Sequence, residues 1–243
     1  PLIGCDCKTC LSHNPRDKRT RSSIFVNIDG KNILIDASMD MRFQLLREGI
    51  KNIDVILLTH HHSDHICGLD DLRPISCKRK GDKILCMGNA ITVESIKSRF
   101  PYFFHYEQKG GGVPEIEICE IKESVCLFNK KELQVIPVPV FHGKIQILGY
   151  RIGNMAYITD ASFIPEESYS LLKGLDVLII NALRKRPHET HFSYDEVKAE
   201  SERIKAKRVF ITHICHDLMH SELVEMSKES LLVPAYDGLK VFL

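Results

Sequence analysis

Short runs of β-branched and aliphatic residues recur along the chain, each bounded by polar or turn-forming residues. They fall at 23–28, 32–36, 53–58, 133–138, 146–152, 155–159, 177–180 and 208–212. Their length and residue type predict strands rather than helices. Asp29-Gly30 and Gly153-Asn154 sit between neighbouring runs and predict two hairpins. Helical spacing of apolar positions appears between strands, at about 39–48, 90–98, 166–173, 193–205 and 219–230. In the fourth of these, Ser193 is a good N-cap and Glu196 completes a capping box. Strand-rich halves with interleaved helices imply an α/β protein of two sheets packed face to face, each covered by helices. The stretch from Arg99 to Glu120, with Gly110-Gly111-Gly112, fits neither period and reads as a loop over a site or a surface excursion.

The 243 residues suit one layered domain, and no linker or short-period repeat divides them, so 1–243 is expected to be a single domain. Thirty-three Lys and Arg against 32 Asp and Glu leave a net charge of +1, which argues against an extended surface for duplex nucleic acid. No apolar run approaches the ~20 residues that span a bilayer, so no membrane partner is expected. A cytoplasmic location is the default in the absence of a recognisable signal peptide. The chain opens at Pro1, so a removed leader or a missing first segment stays open. Nine cysteines are too odd a set for a full disulfide framework. Six of them (67, 77, 86, 119, 126 and 215) are scattered and read as small buried hydrophobes.

One motif changes the picture. The strand at 53–58 runs into Thr59-His60-His61-His62-Ser63-Asp64-His65, which places His60, His62, Asp64 and His65 at the spacing H-x-H-x-D-H. Alternate residues His60 and His62 point the same way, and imidazole with carboxylate suits zinc, manganese or iron. Further apolar runs end at His142, Asp160 and His213, and Asp36 closes another. This pattern resembles the signature of the metallo-β-lactamase superfamily over nearly the whole chain. The resemblance implies that fold, a four-layer αββα sandwich. It implies a dinuclear centre of zinc or manganese in which His60, His62 and His142 hold one ion, Asp64, His65 and His213 the other, and Asp160 bridges both. Asp36 would buttress the histidine loop, and Asp64 and Asp160 would also orient the nucleophile. Two such ions ~3.5–4 Å apart activate a shared water for hydrolysis.

Near the N-terminus, Gly4-Cys5-Asp6-Cys7-Lys8-Thr9-Cys10 sets three thiols within six residues. Three thiolates need a fourth ligand to complete a tetrahedron, and His216, three residues beyond His213, is a candidate. A disulfide with a spare thiol, or Cys215 as the fourth ligand, are the alternatives. A cysteine cluster with a closing His-x-x-His resembles the branch of the superfamily that hydrolyses phosphoribosyl 1,2-cyclic phosphate. That branch carries a structural zinc there, which implies one zinc on Cys5, Cys7, Cys10 and His216 in a loop at 4–10. Members of the branch begin with a strand ahead of the cysteines, and this chain starts after that point.

Between Asp160 and His213 lies Arg184-Lys185-Arg186-Pro187-His188-Glu189-Thr190-His191. By resemblance to related phosphodiesterases and tRNA-processing nucleases, a non-ligand histidine here assists the leaving oxygen. His191 matches that place best and His188 is the runner-up, while the basic triplet is a candidate phosphate attractor. The expected function is therefore a metal-dependent phosphodiesterase for small or cyclic phosphodiesters, with a homodimer left open. Alternatives on the same fold are a tRNA 3′-processing endonuclease, a thioester or lactone hydrolase, and a non-catalytic metal-binding pathway protein. The short spacer between His142 and Asp160 and the charge of +1 disfavour a large RNA substrate.

Overall fold

The computed structural model describes residues 1–79, 81–105, 112–127 and 134–243. Gly110 and Gly111 of the glycine-rich stretch lie outside the described residues. The rest form two compact units, Arg21–Ser124 on one hand and Pro1–Thr20 with Val125–Leu243 on the other.

The unit Arg21–Ser124 is built on a five-stranded sheet in the order β1-β2-β3-β4-β5. Its strands are β1 Ile24–Ile28, β2 Lys31–Ile35, β3 Val55–Leu57, β4 Ile84–Gly88 and β5 Ile116–Glu120. The expected hairpin at Asp29-Gly30 joins β1 and β2 antiparallel, with both turn residues at positive φ, and the remaining pairs are parallel. Parallel pairing buries strands on both faces, which is why β3 is three apolar residues with no polar alternation. Leu34, Ile56, Ile84 and Cys86 pack with Met41 and Leu45 of one helix (Met41–Glu48) and Ile96 of another (Ala90–Arg99).

The second unit holds a seven-stranded sheet, in spatial order β12-β11-β10-β9-β8-β7-β6. Its main strands are β7 Gln134–His142, β8 Ile145–Ile152, β9 Met155–Ile158, β10 Val177–Asn181 and β11 Arg208–Thr212; β6 Val125–Cys126 and β12 Leu232–Pro234 form its edges. The meander β7-β8-β9 is antiparallel, and β9 to β12 run parallel. It follows that β7, β9 and β11 all end at the same edge of the sheet. The helix Tyr194–Ile204 buries Tyr194, Val197, Ser201 and Ile204, its inward stripe, and begins with the expected Ser193–Glu196 capping box.

Among the scattered cysteines, Cys86 is buried and Cys67, Cys119 and Cys215 are half-buried, but Cys77 and Cys126 are exposed. Those two therefore do not act as buried hydrophobes. Among the described residues, no helix is long and apolar enough to cross a membrane.

Candidate metal site

Candidate ligands cluster at strand ends, and at three such positions the backbone is unusual. Asp36 after β2, Asp160 after β9 and His213 after β11 all have positive φ, at 65°, 58° and 53°. The left-handed region costs a non-glycine residue roughly 1–2 kcal/mol, so surrounding structure must hold these residues there. The only other non-glycine examples among the described residues, Asp29 and Lys205, close a hairpin and cap a helix.

In the unit Arg21–Ser124, one buried carboxylate organises the histidine loop. Asp36 accepts hydrogen bonds from the Thr59 amide at 2.8 Å, from the Thr59 hydroxyl at 2.9 Å and from His65 Nδ1 at 2.8 Å. Burial pushes its carboxyl above the ordinary range, and His65 and Thr59 pull against that rise. With its hydroxyl proton given to Asp36, Thr59 accepts from His60 Nδ1 at 3.0 Å. Both imidazoles are thereby held with Nε2 as the atom left to ligate, the arrangement that metal-binding histidines require. His60 Nε2 and His62 Nδ1 converge to 3.0 Å, near the ~3.3 Å expected of two nitrogens in one tetrahedral shell with ~2.05 Å bonds. His65 Nε2 lies 3.5 Å from the half-exposed Asp64 carboxylate. Behind the loop the main chain passes so close that Gly68 has no alternative: a Cβ there would lie 2.0 Å from the Ser38 carbonyl oxygen.

In the other unit, His142, Asp160, His213 and His191 come together. His142 donates through Nδ1 to the Thr190 carbonyl at 2.8 Å, again presenting Nε2. Gly143, at φ +58°, makes room for this contact, because a Cβ there would meet the Thr190 methyl at 2.9 Å. Asp160 Oδ2 lies 3.2 Å from Nε2 of both His191 and His213. The loop after Asp160 is pinned by Asn181 at the end of β10, whose amide bonds both main-chain groups of Ala161. His191 stacks on His213 with ring centroids 4.9 Å apart. Its Nδ1 lies 2.9 Å from the Thr190 hydroxyl, and its Nε2 faces Asp160. Burial lowers the His191 pKa, against the pull of Asp160. His188 sits behind, its Nδ1 accepting from the Thr190 amide, with its pKa lowered by burial and then by Arg184.

The basic triplet is largely committed to its own loop. Arg184 donates to the carbonyls of Arg186 and Pro187, and Arg186 pairs with Asp217 at 3.2 Å.

The N-terminal cluster is a separate site within the same unit. His216 Nδ1 lies 3.2, 3.5 and 3.7 Å from the sulfurs of Cys5, Cys7 and Cys10. A tetrahedral zinc with Zn–S ~2.3 Å and Zn–N ~2.05 Å requires S···N spacings of about 3.6 Å, so this donor set fits zinc. The Cys10 amide, foremost among several contacts, brings the Cys7 thiol down to about 6, a thiolate at neutral pH. All nine cysteines are free thiols. Cys215 instead lies half-buried, its pKa raised by burial. Asp17, fully buried, accepts from the Ser12 hydroxyl and the His220 amide, and Arg19 donates to the carbonyls of Cys215 and Leu218. These contacts fasten the first twenty residues beside His216. Sequence reasoning missed Thr59, Thr190, Asn181 and Asp17, since a threonine or asparagine in a loop carries no signal until its partners are known.

Residues 31–214 match the model of the β-lactamase superfamily domain, which is three quarters of the chain. The chain belongs to the metallo-β-lactamase superfamily, a hydrolase family. Its fold is the metallo-β-lactamase fold, as the sequence led one to expect. It is similar over 99% of its length to a solved diphosphatase of the PhnP family, with 44% identity, a TM-score of 0.91 and 91% of that chain covered. It is also 36% identical over its whole length to a Porphyromonas gingivalis protein called octanoyltransferase, and 28% identical over 62% of its length to ribonuclease Z of Clostridium acetobutylicum. The chain spans about half the length of these two curated relatives, 49% and 48%.

Proposed function

We propose that this metallo-β-lactamase domain is a metal-dependent phosphodiesterase acting on a small or cyclic phosphodiester. The observation that carries the reading is the imidazole of His191 beside the candidate ligands, its Nε2 3.2 Å from Asp160 and its Nδ1 2.9 Å from the Thr190 hydroxyl. Similarity to a PhnP-family diphosphatase supports phosphorus as the electrophile. A small substrate is favoured by the short chain between His142 and Asp160, no more than the β8–β9 hairpin, and by the net charge of +1.

In this reading His60, His62 and His142 would hold one divalent ion and Asp64, His65 and His213 a second, with Asp160 shared between them. The ions are zinc or manganese, and when bound they supply an activated water at neutral pH and neutralise charge on phosphoryl oxygens. Asp36, Thr59 and the Thr190 carbonyl fix the ring orientations before any ligand arrives, so little reorganisation remains. Asp64 and Asp160 orient the attacking water. His191, in its imidazolium form, would give its Nε2 proton to the leaving oxygen and return to neutral imidazole, and His188 is the nearest substitute. A structural zinc on Cys5, Cys7, Cys10 and His216 has no open position and takes no part in the chemistry.

Hydrolysis of an acyl ester or thioester is the second reading, favoured by the similarity of this chain to about half, 49%, of the protein called octanoyltransferase. A panel of bis(p-nitrophenyl) phosphate, cyclic nucleotides and an octanoyl thioester, run on metal-analysed protein, separates the two. His191→Ala should keep both catalytic ions and lose ~10²–10⁴-fold in kcat on cyclic nucleotides. The loss should be smaller on the p-nitrophenyl ester, whose leaving group needs little help. Equal losses on both substrates remove His191 from this role, and turnover of the thioester alone overturns the phosphodiesterase reading.

A further inference from the structure

Residues 213–219, between β11 and the helix His220–Met226, carry candidate ligands of two different sites only three positions apart. His213 Nε2 faces Asp160, and His216 Nδ1 faces the three thiols. The stretch lies outside strand and helix, and His213 is held in the left-handed region. Asp160, in the same strained conformation, has Asn181 to pin the residue after it. The hold on the His213 segment comes from the first twenty residues instead.

Arg19 Nη1 donates to the Cys215 carbonyl and Nη2 to the Leu218 carbonyl, each at 3.0 Å. One planar guanidinium thus brackets the turn containing His216 and Asp217, beginning two residues after His213. The Cys215 amide donates to the Leu183 carbonyl at 2.9 Å, so both main-chain groups of Cys215 are fixed. The Arg19 side chain is 9% exposed, and its carboxylate partner, the fully buried Asp17, is 3.4 Å away. A buried ion pair is weak evidence for stability, and one this long gives little reason to bury a cation. The two carbonyls do give a reason. Asp17 in turn accepts from the His220 amide at 2.7 Å. The pair therefore grips the segment at Cys215, Leu218 and His220, and the same stretch of chain supplies Cys5, Cys7 and Cys10.

We propose that Arg19 is a positioning residue for His213, and that it links filling of the Cys5, Cys7, Cys10 and His216 site to the affinity of the ion assigned to His213. With the cysteine cluster filled, the first twenty residues are fixed against His216. Arg19 carries that order to Cys215 and so to the strained turn at His213. The ion at His213 then binds to a segment that is already ordered, which makes the two sites cooperative, and the coupling is reciprocal. This rests on the ligand assignment of the proposed function and not on its phosphodiester chemistry.

Cobalt(II) titration of metal-free protein reads the sites without turnover: thiolate-to-metal absorption reports the cysteine cluster, and chelator competition reports the remaining ions. Arg19→Lys keeps the charge beside Asp17 but cannot span two carbonyls. It should leave the thiolate band at saturation intact and weaken the looser catalytic ion ~10–100-fold. Cys7→Ser should weaken that ion by a similar factor. The two changes together should weaken it little more than either alone, as expected of one linked path. Arg151 is the control, since its guanidinium spans the Gly153, Leu171 and Lys173 carbonyls of the same unit, none of them on a candidate ligand. Arg151→Lys should lower the urea midpoint yet leave every metal affinity unchanged. Wild-type affinity in Arg19→Lys, or an equal loss in Arg151→Lys, overturns the positioning role, and full additivity with Cys7→Ser overturns the link. His213→Ala protein that binds the catalytic ions like wild type overturns the ligand assignment beneath both. Wild type that shows the linkage but cleaves no phosphodiester overturns the phosphodiesterase reading alone.

Discussion

Replacement of Asp36 tests whether the buried carboxylate orients ligands or merely fills space. The side chain is fully buried and accepts from the Thr59 amide, the Thr59 hydroxyl and His65 Nδ1. Asp36→Ala would strand at least the Thr59 amide and the His65 ring proton, each at about 1–3 kcal/mol. Alanine at φ 65° adds roughly 1–2 kcal/mol of backbone cost. That variant is expected to lose about 3–8 kcal/mol and is uninformative if it fails to fold. Asp36→Asn is the sharper probe, because Asn tolerates the left-handed region and its carbonyl still accepts from Thr59. The amide NH2 then faces His65 Nδ1, where two donors conflict. His65 escapes by moving its proton to Nε2, which blocks the ligating atom. Metal affinity should therefore fall ~10–100-fold while the metal-free protein loses only about 1–3 kcal/mol. Chelator competition measures the first quantity and urea denaturation of metal-free protein the second. Asp36→Asn protein that binds metal as tightly as wild type would refute the orienting role.

Thr190→Val removes the hydroxyl that holds His191 but keeps the carbonyl that holds His142, so activity should drop ~10–100-fold at unchanged metal content, with Thr190→Ser close to wild type in the same assay. Cys7→Ser should lower zinc stoichiometry by one per chain. At free zinc a hundredfold above Kd the wild type gains about 2.7 kcal/mol over its chelated form, and melting curves of Cys7→Ser should show no such gain. Burial first, and then Arg16 and Arg19, lower the pKa of His220 below its ordinary 6.5, with Asp17 pulling the other way. Above about pH 6.5 neither state holds this proton; as pH falls toward the folded value the unfolded chain takes it up and stability is lost. His220→Gln should flatten the fall in urea midpoint between pH 7.5 and 5.5, and an unchanged slope would exclude His220 as its source.

The sequence alone determined those features whose cause is local. Strand runs such as 208–212, the Asp29-Gly30 hairpin and the Ser193–Glu196 capping box follow from neighbouring residue types, and the structure places them where expected. The histidine motif was equally legible, since four ligand types at fixed spacing after an apolar run leave few other uses. Strands β6 and β12, two and three residues long, were not. Such short segments carry too few positions for a period and exist because a neighbouring strand offers hydrogen bonds. Tertiary structure also decided the roles of Asp36, Thr59, Thr190 and Asn181. Each acts on a residue it meets only after folding, as when Thr190 bonds His142 across 48 positions of chain. The committed state of Arg184 and Arg186 belongs here too. A basic triplet reads as a phosphate attractor until its partners are in place. Local sequence sets what a side chain is able to do, and the fold supplies the partner that makes it do so.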